Sequence, residues 1–525
     1  MAASVRPLSG PKYDDDMRPD ERNSRDRLGS DAHNGVVASF RQACASPKRL
    51  RMEVLGGLVV ALALIPEAIS FSILAGVDPS VGLFTSVIMA IVIAFTGGRP
   101  AMISAATGAV ALVVAPVARD YGLDYLVATV LLGGAMQIVL AIVGVAKLMR
   151  FVPRSVMIGF VNALGVMLFT AQLPHLIGVP WLVYPLFALG LAIMIVGPKL
   201  TKAIPAPLIT IVLLSALTMA AGLRIPTVAD MGALPTSLPS LFVPDVPLTM
   251  ETLTIIAPYS LALAIVGLME SLMTAKLVDG LTDQHSDKTR ESWGQGVANI
   301  ASGLFGGMGG CAMIGQTMIN TRESGARTRL STLLAGVFLL GLLLLLGDLV
   351  GQIPMAALAA IMVMVAYGTV NWHSVHPRTL KLMPLSETIV MAVTVVATLA
   401  THNLAVGVVL GVVAAMISFA RRVAHIVTVE KVEELGADDD TRTYRVRGQL
   451  FFASSNDLVY SFDYTDPAPR IRIDMSQAEV WDASTVATLD SITQKFRNHG
   501  KEVAIVGLTG PSRDRLELLT GQLEG

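Results

Sequence analysis

The chain has 525 residues, of which 53% are hydrophobic and only 15% charged, against about 25% charged in an ordinary soluble domain. Of its 79 Asp, Glu, Lys and Arg residues, 31 fall in residues 56–420 and 48 crowd into the remaining 160, which excludes a single water-soluble globule and marks the middle of the chain as built for lipid. A formal net charge of −1 argues against nucleic acid as a partner, because phosphate binding requires a basic surface. The two cysteines, Cys44 and Cys311, are too few for a disulfide framework or a cysteine metal site.

Residues 1–46 are polar and broken by Pro, Gly, Asp and Arg, with no apolar stretch of the kind a secretory signal needs, and read as a disordered cytoplasmic tail. A transmembrane domain over 47–425 follows. Fourteen apolar runs succeed one another at about 54–75, 81–97, 103–118, 125–146, 155–173, 181–198, 206–222, 254–275, 291–307, 312–321, 330–347, 354–371, 386–401 and 404–420. Most approach the ~20 residues that cross a ~30 Å hydrocarbon core as helix. With both termini in the cytoplasm, the inner connections hold fourteen Lys and Arg and the outer ones only Arg119 and Arg224, as the positive-inside rule requires. Beyond residue 425 the composition becomes soluble. Alternating residues in 444–452 and 471–475 predict strands, Asp482 caps a predicted helix over 483–497, and a third strand is expected over 502–507. Together they predict a small α/β domain within 426–525.

Two Gly-rich segments stand out among the long spans. Residues 97–108 open the third span and 306–317 the tenth, and both contain Ala-Met-Ile, at 101–103 and 312–314. An offset of seven spans makes them enter the membrane from opposite faces, the signature of an inverted repeat, and broken helices in matching positions point to a midplane site where helix starts offer N–H groups to an anion. The competing reading is that the glycines only permit close helix packing. Glu67 in the first span and Glu270 in the eighth are the only acids deep within spans. An ionisable group at that depth is a functional candidate by default. Thr274 lies one turn beyond Glu270 on the same face. A carboxylate with a hydroxyl and unwound carbonyls suits a small hard cation, and the carboxylate alone can carry a proton. His175, His373, His376 and His402 sit at span ends or in loops without metal spacing and read as interfacial. No nucleophile and base pair, metalloprotease His pair or phosphate loop is visible, so the sequence does not read as an enzyme.

The chain resembles the SulP family of anion transporters over about residues 45–525. The resemblance rests on Gly57, on the run from Ile65 through Glu67 to Phe71, on Ala75 to Pro79 with Gly82 and Leu83, on 104–108, on Glu270 with Ser271, on 299–307, and on a carboxyl-terminal domain that looks like a STAS module. It implies an all-α membrane domain of about fourteen segments in two inverted seven-segment repeats, as in uracil permease, plus the α/β STAS domain. Spans 1–4 and 8–11 would form a mobile core and spans 5–7 and 12–14 a gate, in a homodimer held partly by the STAS domains. The implied anion pocket is lined by Glu67 and Phe71, by Ser104, Ala105, Ala106 and Thr107, and by Ala312, Met313, Ile314, Gly315 and Gln316. Glu270 and Thr274 match the pair that binds Na⁺ in bicarbonate carriers of this family. Many relatives have Gln at Glu67 and Pro at Gly309, animal members often place Arg near Gln316, and the bicarbonate carriers have Thr at Ile314. The pocket's positive charge must then come from helix dipoles or a co-bound cation. Ser484 aligns with the phosphorylated serine of stand-alone anti-sigma antagonists, but Thr485 replaces the glycine that follows it there.

The expected function is cation-coupled import of a small inorganic oxoanion, bicarbonate or sulfate, across the plasma membrane by movement of core against gate. No cofactor is expected beyond Na⁺ or H⁺ as coupling ion. The alternatives are proton-linked uptake of a dicarboxylate, and a passive anion channel or a sensor that signals through the STAS domain.

Overall fold

The computed structural model describes residues 35–144, 147, 152–200, 205–234, 237–247, 249–424, 427–432, 440–455 and 458–520. Most of the tail expected over 1–46 lies outside them. The described part of that tail is not without structure: Val36–Ala43 forms a helix, α1, that buries Ser39 and Ala43. Its apolar residues Val36, Val37, Ala38, Phe40 and Ala43 outweigh the polar composition of the segment before it.

The helices that follow are α2 (Pro47–Ala75), α3 (Pro79–Thr96), α4 (Gly108–Val143), α5 (Arg154–Thr170), α6 (Val183–Leu200), α7 (Ala206–Ala220), α8 (Met250–Thr282), α9 (Lys288–Leu304), the short α10 (Ile314–Met318), α11 (Arg329–Gly351), α12 (Met355–Thr369), α13 (Leu385–Thr401) and α14 (Leu404–Ala424). Among the described residues, eight helices are long and apolar enough to cross a membrane, and α7, α12 and α13 are shorter apolar helices. The third and fourth expected spans run together as α4, which is broken at Gly122, where φ is 84° and ψ −173°. No residue with a side chain adopts that conformation at ordinary cost.

Local signals account for the ends of these helices. Ser46 caps α2, accepting from the Arg49 N–H at 3.3 Å, Pro47 starts it, and Gly76 ends it with φ 79°. Pro66 inside α2 leaves the carbonyl one turn before it without its usual partner, next to Glu67. Two buried carboxylates act as caps for other segments. Glu53 accepts from the N–H groups of Arg327, Thr328 and Ser331, and Glu291 from those of Gly98 and Arg99.

Helices α2, α3, α4, α8, α9 and α11 pack chiefly on one another, with α4 against both α8 and α9 and α11 against both α2 and α3. Helix α5 packs on α12 and α13, and α6 on α7 and α12. The outer faces carry exposed Val139, Ile142, Leu189, Leu213, Leu345 and Val396, surface that only a lipid solvent tolerates in such quantity.

The chain divides into two compact units, residues 1–411 and 412–525. The division falls inside α14, ahead of the residue 426 expected from composition, because Val413, Met416, Ile417 and Phe419 in its second half are exposed rather than packed. The second unit carries a four-stranded sheet in the order β3 (Thr428–Val432), β4 (Thr441–Leu450), β5 (Arg470–Val480) and β6 (Glu502–Val506). The β3–β4 pair is antiparallel and the other two are parallel. Helix α15 (Ala483–Asn498) crosses between β5 and β6, and α16 (Gly510–Leu519) follows. Asp482 caps α15 as expected, accepting from the Thr485 N–H at 3.0 Å. The sheet buries Tyr444, Val446, Ile471, Ile473 and Met475 against Val486, Leu489, Ile492 and Phe496 of α15. The edge strand β3 escaped the sequence reading because its Glu430 and Lys431 interrupt the apolar pattern.

Candidate functional site

The two Gly-rich segments meet in the interior. Ser104–Ala105 (β1) and Cys311–Ala312 (β2) form a two-residue antiparallel pair, with Ser104 opposite Ala312 and Ala105 opposite Cys311. The Met313 N–H extends it by donating to the Ile103 carbonyl at 2.9 Å. The second Ala-Met-Ile triplet begins inside this pair, at Ala312, whereas the first ends just before it, at Ile103. Gly310 is required here for space, since a Cβ on it would lie 2.0 Å from the Ala105 carbonyl oxygen.

Polar side chains hold the crossing in place. Gln295 donates to the Ser104 hydroxyl at 2.7 Å, and Asn299 both accepts from the Gly310 N–H and donates to its carbonyl. Ser86, Ser271 and Thr317 accept from the N–H groups of Ala106, Ala312 and Ile103. With these groups satisfied, what remains at each helix start are the N–H groups that a helix leaves unpaired in its first turn. Gly108 and Ala109 at the start of α4, and Ile314 and Gly315 at the start of α10, lie on the wall of a cavity of about 380 Å³.

That cavity also carries Glu67 and Phe71 from α2, Thr107, Met313, and Glu270 from α8. The expected site residues thus divide. Glu67, Phe71, Thr107, Met313, Ile314, Gly315 and Glu270 are brought together on one wall. Ser104, Ala105, Ala106 and Ala312 are buried in or beside the strand pair behind it. Gln316 is also buried and reaches the site through Glu67, donating to its Oε1 at 3.0 Å, while its own amide oxygen has no partner among the described residues. Thr274 is buried one turn from Glu270 with its hydroxyl donating to the Glu270 carbonyl at 2.7 Å. The Glu270 carboxylate instead accepts from the Cys311 thiol at 2.9 Å.

The opposite wall comes from the other group of helices: Phe160, Val161, Leu164 and Leu168 of α5, and Val365, Gly368 and Thr369 at the end of α12. No sequence signal singles these out, because apolar residues in an apolar span look alike. Among the lining residues there are two carboxylates and no Lys or Arg. The arrangement can hold a small guest between two helix starts and two acids, with hydrogen-bond donors on one side and an apolar wall on the other.

Comparisons with known proteins agree with this architecture. The profile of the sulfate permease family matches residues 50–184 and 181–394, and that of the STAS domain matches 434–521. The chain is 49% identical over 468 residues to the "Putative sulfate transporter YbaR" of Bacillus subtilis, covering 89% of this chain and 96% of that protein. It is 26% identical over 525 residues to the bicarbonate transporter BicA of Picosynechococcus, covering 90% and 91%. The transmembrane domain of a cyanobacterial BicA superposes with a TM-score of 0.61 at 25% identity, covering 70% of this chain and 98% of that one. The murine Slc26a9 anion transporter in its inward-facing state superposes with a TM-score of 0.79 at 16% identity, covering 98% and 92%, a likeness of fold. This membrane protein belongs to the sulfate permease family, a family of transporters rather than enzymes, and ends in a STAS domain.

Proposed function

We propose that the protein carries a small inorganic oxoanion, bicarbonate or sulfate, across the plasma membrane in symport with Na⁺ or H⁺. One observation carries this reading: the cavity offers an anion two helix starts but surrounds it with Glu67 and Glu270 and no basic side chain. In a poorly solvated site, like charges a few ångströms apart repel by several kcal/mol. The partial positive charge of two helix ends, about half a unit each, cannot offset two carboxylates and the anion together. Entry of the anion is therefore favourable only with a compensating positive charge, which Glu270 receives as Na⁺ or as a proton. The Glu270 carboxylate is a hard oxygen ligand of the type Na⁺ takes, and the Thr274 hydroxyl one turn away, which donates to the Glu270 main-chain carbonyl, is a second one that the cation could recruit. Relatives named as sulfate and bicarbonate transporters support the anion class.

The division of the helices into two groups, with the cavity between the starts of α4 and α10 on one side and α5 and α12 on the other, supports transport by movement of one group against the other. In this reading both termini face the cytoplasm, and the protein works as a homodimer through gate and STAS domains. The test is uptake of labelled bicarbonate, sulfate and fumarate into proteoliposomes under an imposed Na⁺ gradient, an imposed pH gradient, or neither. Accumulation of one inorganic anion above equilibrium under one gradient is the expected outcome. Mere equilibration of every anion would replace symport by a passive channel, and accumulation of fumarate alone would replace the substrate class.

A further inference from the structure

Between the start of α4 and the Glu270 carboxylate runs an unbroken line of hydrogen bonds, all pointing the same way. The Val110 N–H donates to the Thr107 hydroxyl at 3.3 Å. The Thr107 hydroxyl lies 3.1 Å from the Cys311 sulfur. The thiol donates to Glu270 Oε2 at 2.9 Å, so its single proton is committed and the Thr107 hydroxyl is the donor to sulfur. Both ends of this line, Thr107 and Glu270, lie on the cavity wall, whereas Cys311 has no exposed surface. In the sequence Cys311 reads as a small apolar residue without redox or metal partners. The structure makes it the one side chain bridging the two.

We propose that Cys311 is a positioning residue that strengthens the coupling of cation and anion binding beyond the direct effect of the Glu270 charge: while Glu270 is free of a cation, its charge holds the thiol, and the thiol's sulfur holds the Thr107 hydroxyl away from the anion. Hydrogen bonds in such a line polarise one another, so a thiol donating to a carboxylate is a better acceptor at sulfur than an unengaged one. A cation on Glu270 competes for Oε2, weakens the hydrogen bond from the thiol to that oxygen, and leaves the Thr107 hydroxyl free to turn into the cavity as a donor to the oxoanion. The Gly108 and Ala109 N–H groups are fixed in the helix, so the hydroxyl is the donor on this wall that can switch. This inference rests on the cation-coupled reading above and adds a residue that strengthens the coupling.

Cys311→Ala removes both bonds and leaves the Thr107 hydroxyl free at all cation concentrations. The measurements are the KM for labelled sulfate and bicarbonate at low and saturating cation in proteoliposomes, and the anion-induced shift in melting temperature of the full-length protein in detergent with and without cation. In wild type the anion KM should fall by more than about tenfold as cation rises, because one hydrogen bond to a charged group adds about tenfold to the effect of neutralising Glu270. In Cys311→Ala the effect of the Glu270 charge remains but the Thr107 hydroxyl is available throughout, so the anion KM at low cation should lie about tenfold below wild type and fall about tenfold less as cation rises, with kcat much less affected. Cys311→Ser, whose hydroxyl donates more strongly, should move the opposite way, keeping the cation dependence and needing more cation for half effect. That variant tests the inference by itself should the alanine variant fail to fold. The inference is overturned if Cys311→Ala keeps the wild-type cation dependence in both measurements, or if serine flattens it. A wild-type protein whose anion affinity ignores the cation in both measurements would overturn the cation-coupled reading, and this inference with it.

Discussion

Glu67 and Glu270 reach one cavity from helices far apart in the sequence, and their surroundings differ. Glu67 is held by Gln316 at 3.0 Å and Glu270 by Cys311 at 2.9 Å. Under the cation-coupled reading proposed above, replacing Glu270 by Gln keeps the shape and removes the charge that would attract the coupling cation. Accumulation under a cation gradient should drop roughly tenfold or more, the size of a lost charged contact, while expression and melting temperature stay near wild type. Both acids were legible in the sequence because a carboxylate is costly in an apolar span, so a functional reading outweighs that of a structural pair hydrogen-bonding between helices. Cys311 was not, because a lone buried cysteine looks like any other small apolar residue. Gln295 and Ser86 were passed over, and Ser271, Asn299 and Thr317 were noted only as part of the family resemblance or of the Gly-rich segment, although polar groups within apolar spans were a usable signal. They turn out to hold the backbone that frames the site.

At the scale of elements, the positions of the helices followed from apolar run length, and the two broken segments from their glycines. What run length could not give was the strand register, which is decided by backbone contact between residues about two hundred positions apart. Gly310 is the clearest case. A methyl group there would overlap the Ala105 carbonyl, a backbone atom that cannot turn aside. Gly310→Ala should cost about 3 kcal/mol or more and abolish uptake. Gly122→Ala puts a side chain at φ 84° with nothing within 4 Å of its Cβ, so it costs only backbone strain, about 1–3 kcal/mol. Melting temperatures of the purified variants should rank in that order, and the reverse ranking would contradict the crossing geometry.

At the scale of the molecule, the STAS domain carries its own pH dependence. Burial pushes the Asp466 carboxyl upward, but the bonds from Lys431 at 2.6 Å and from the Ala468 N–H, with the charge of Arg442, outweigh it and hold the group below the ordinary aspartate range. A carboxylate depressed in the folded state adds stability above its unfolded value, about 3.9, and loses that stability as pH falls through the folded one. The thermal transition of the STAS domain should therefore fall below about pH 4 in wild type. Asp466→Asn should lower the transition temperature at pH 7 and make its acid dependence shallower. The two-residue pairing of β1 with β2 has a different reach, into how the protein is made. Ribosomes deliver the first half of the chain to the membrane well before Cys311 and Ala312 exist, so Ser104 and Ala105 wait without their strand partners in a medium that offers none. Synthesis order thus places the closing of this strand pair behind a long delay, and a nascent chain stalled before residue 311 leaves Ser104 and Ala105 unpaired.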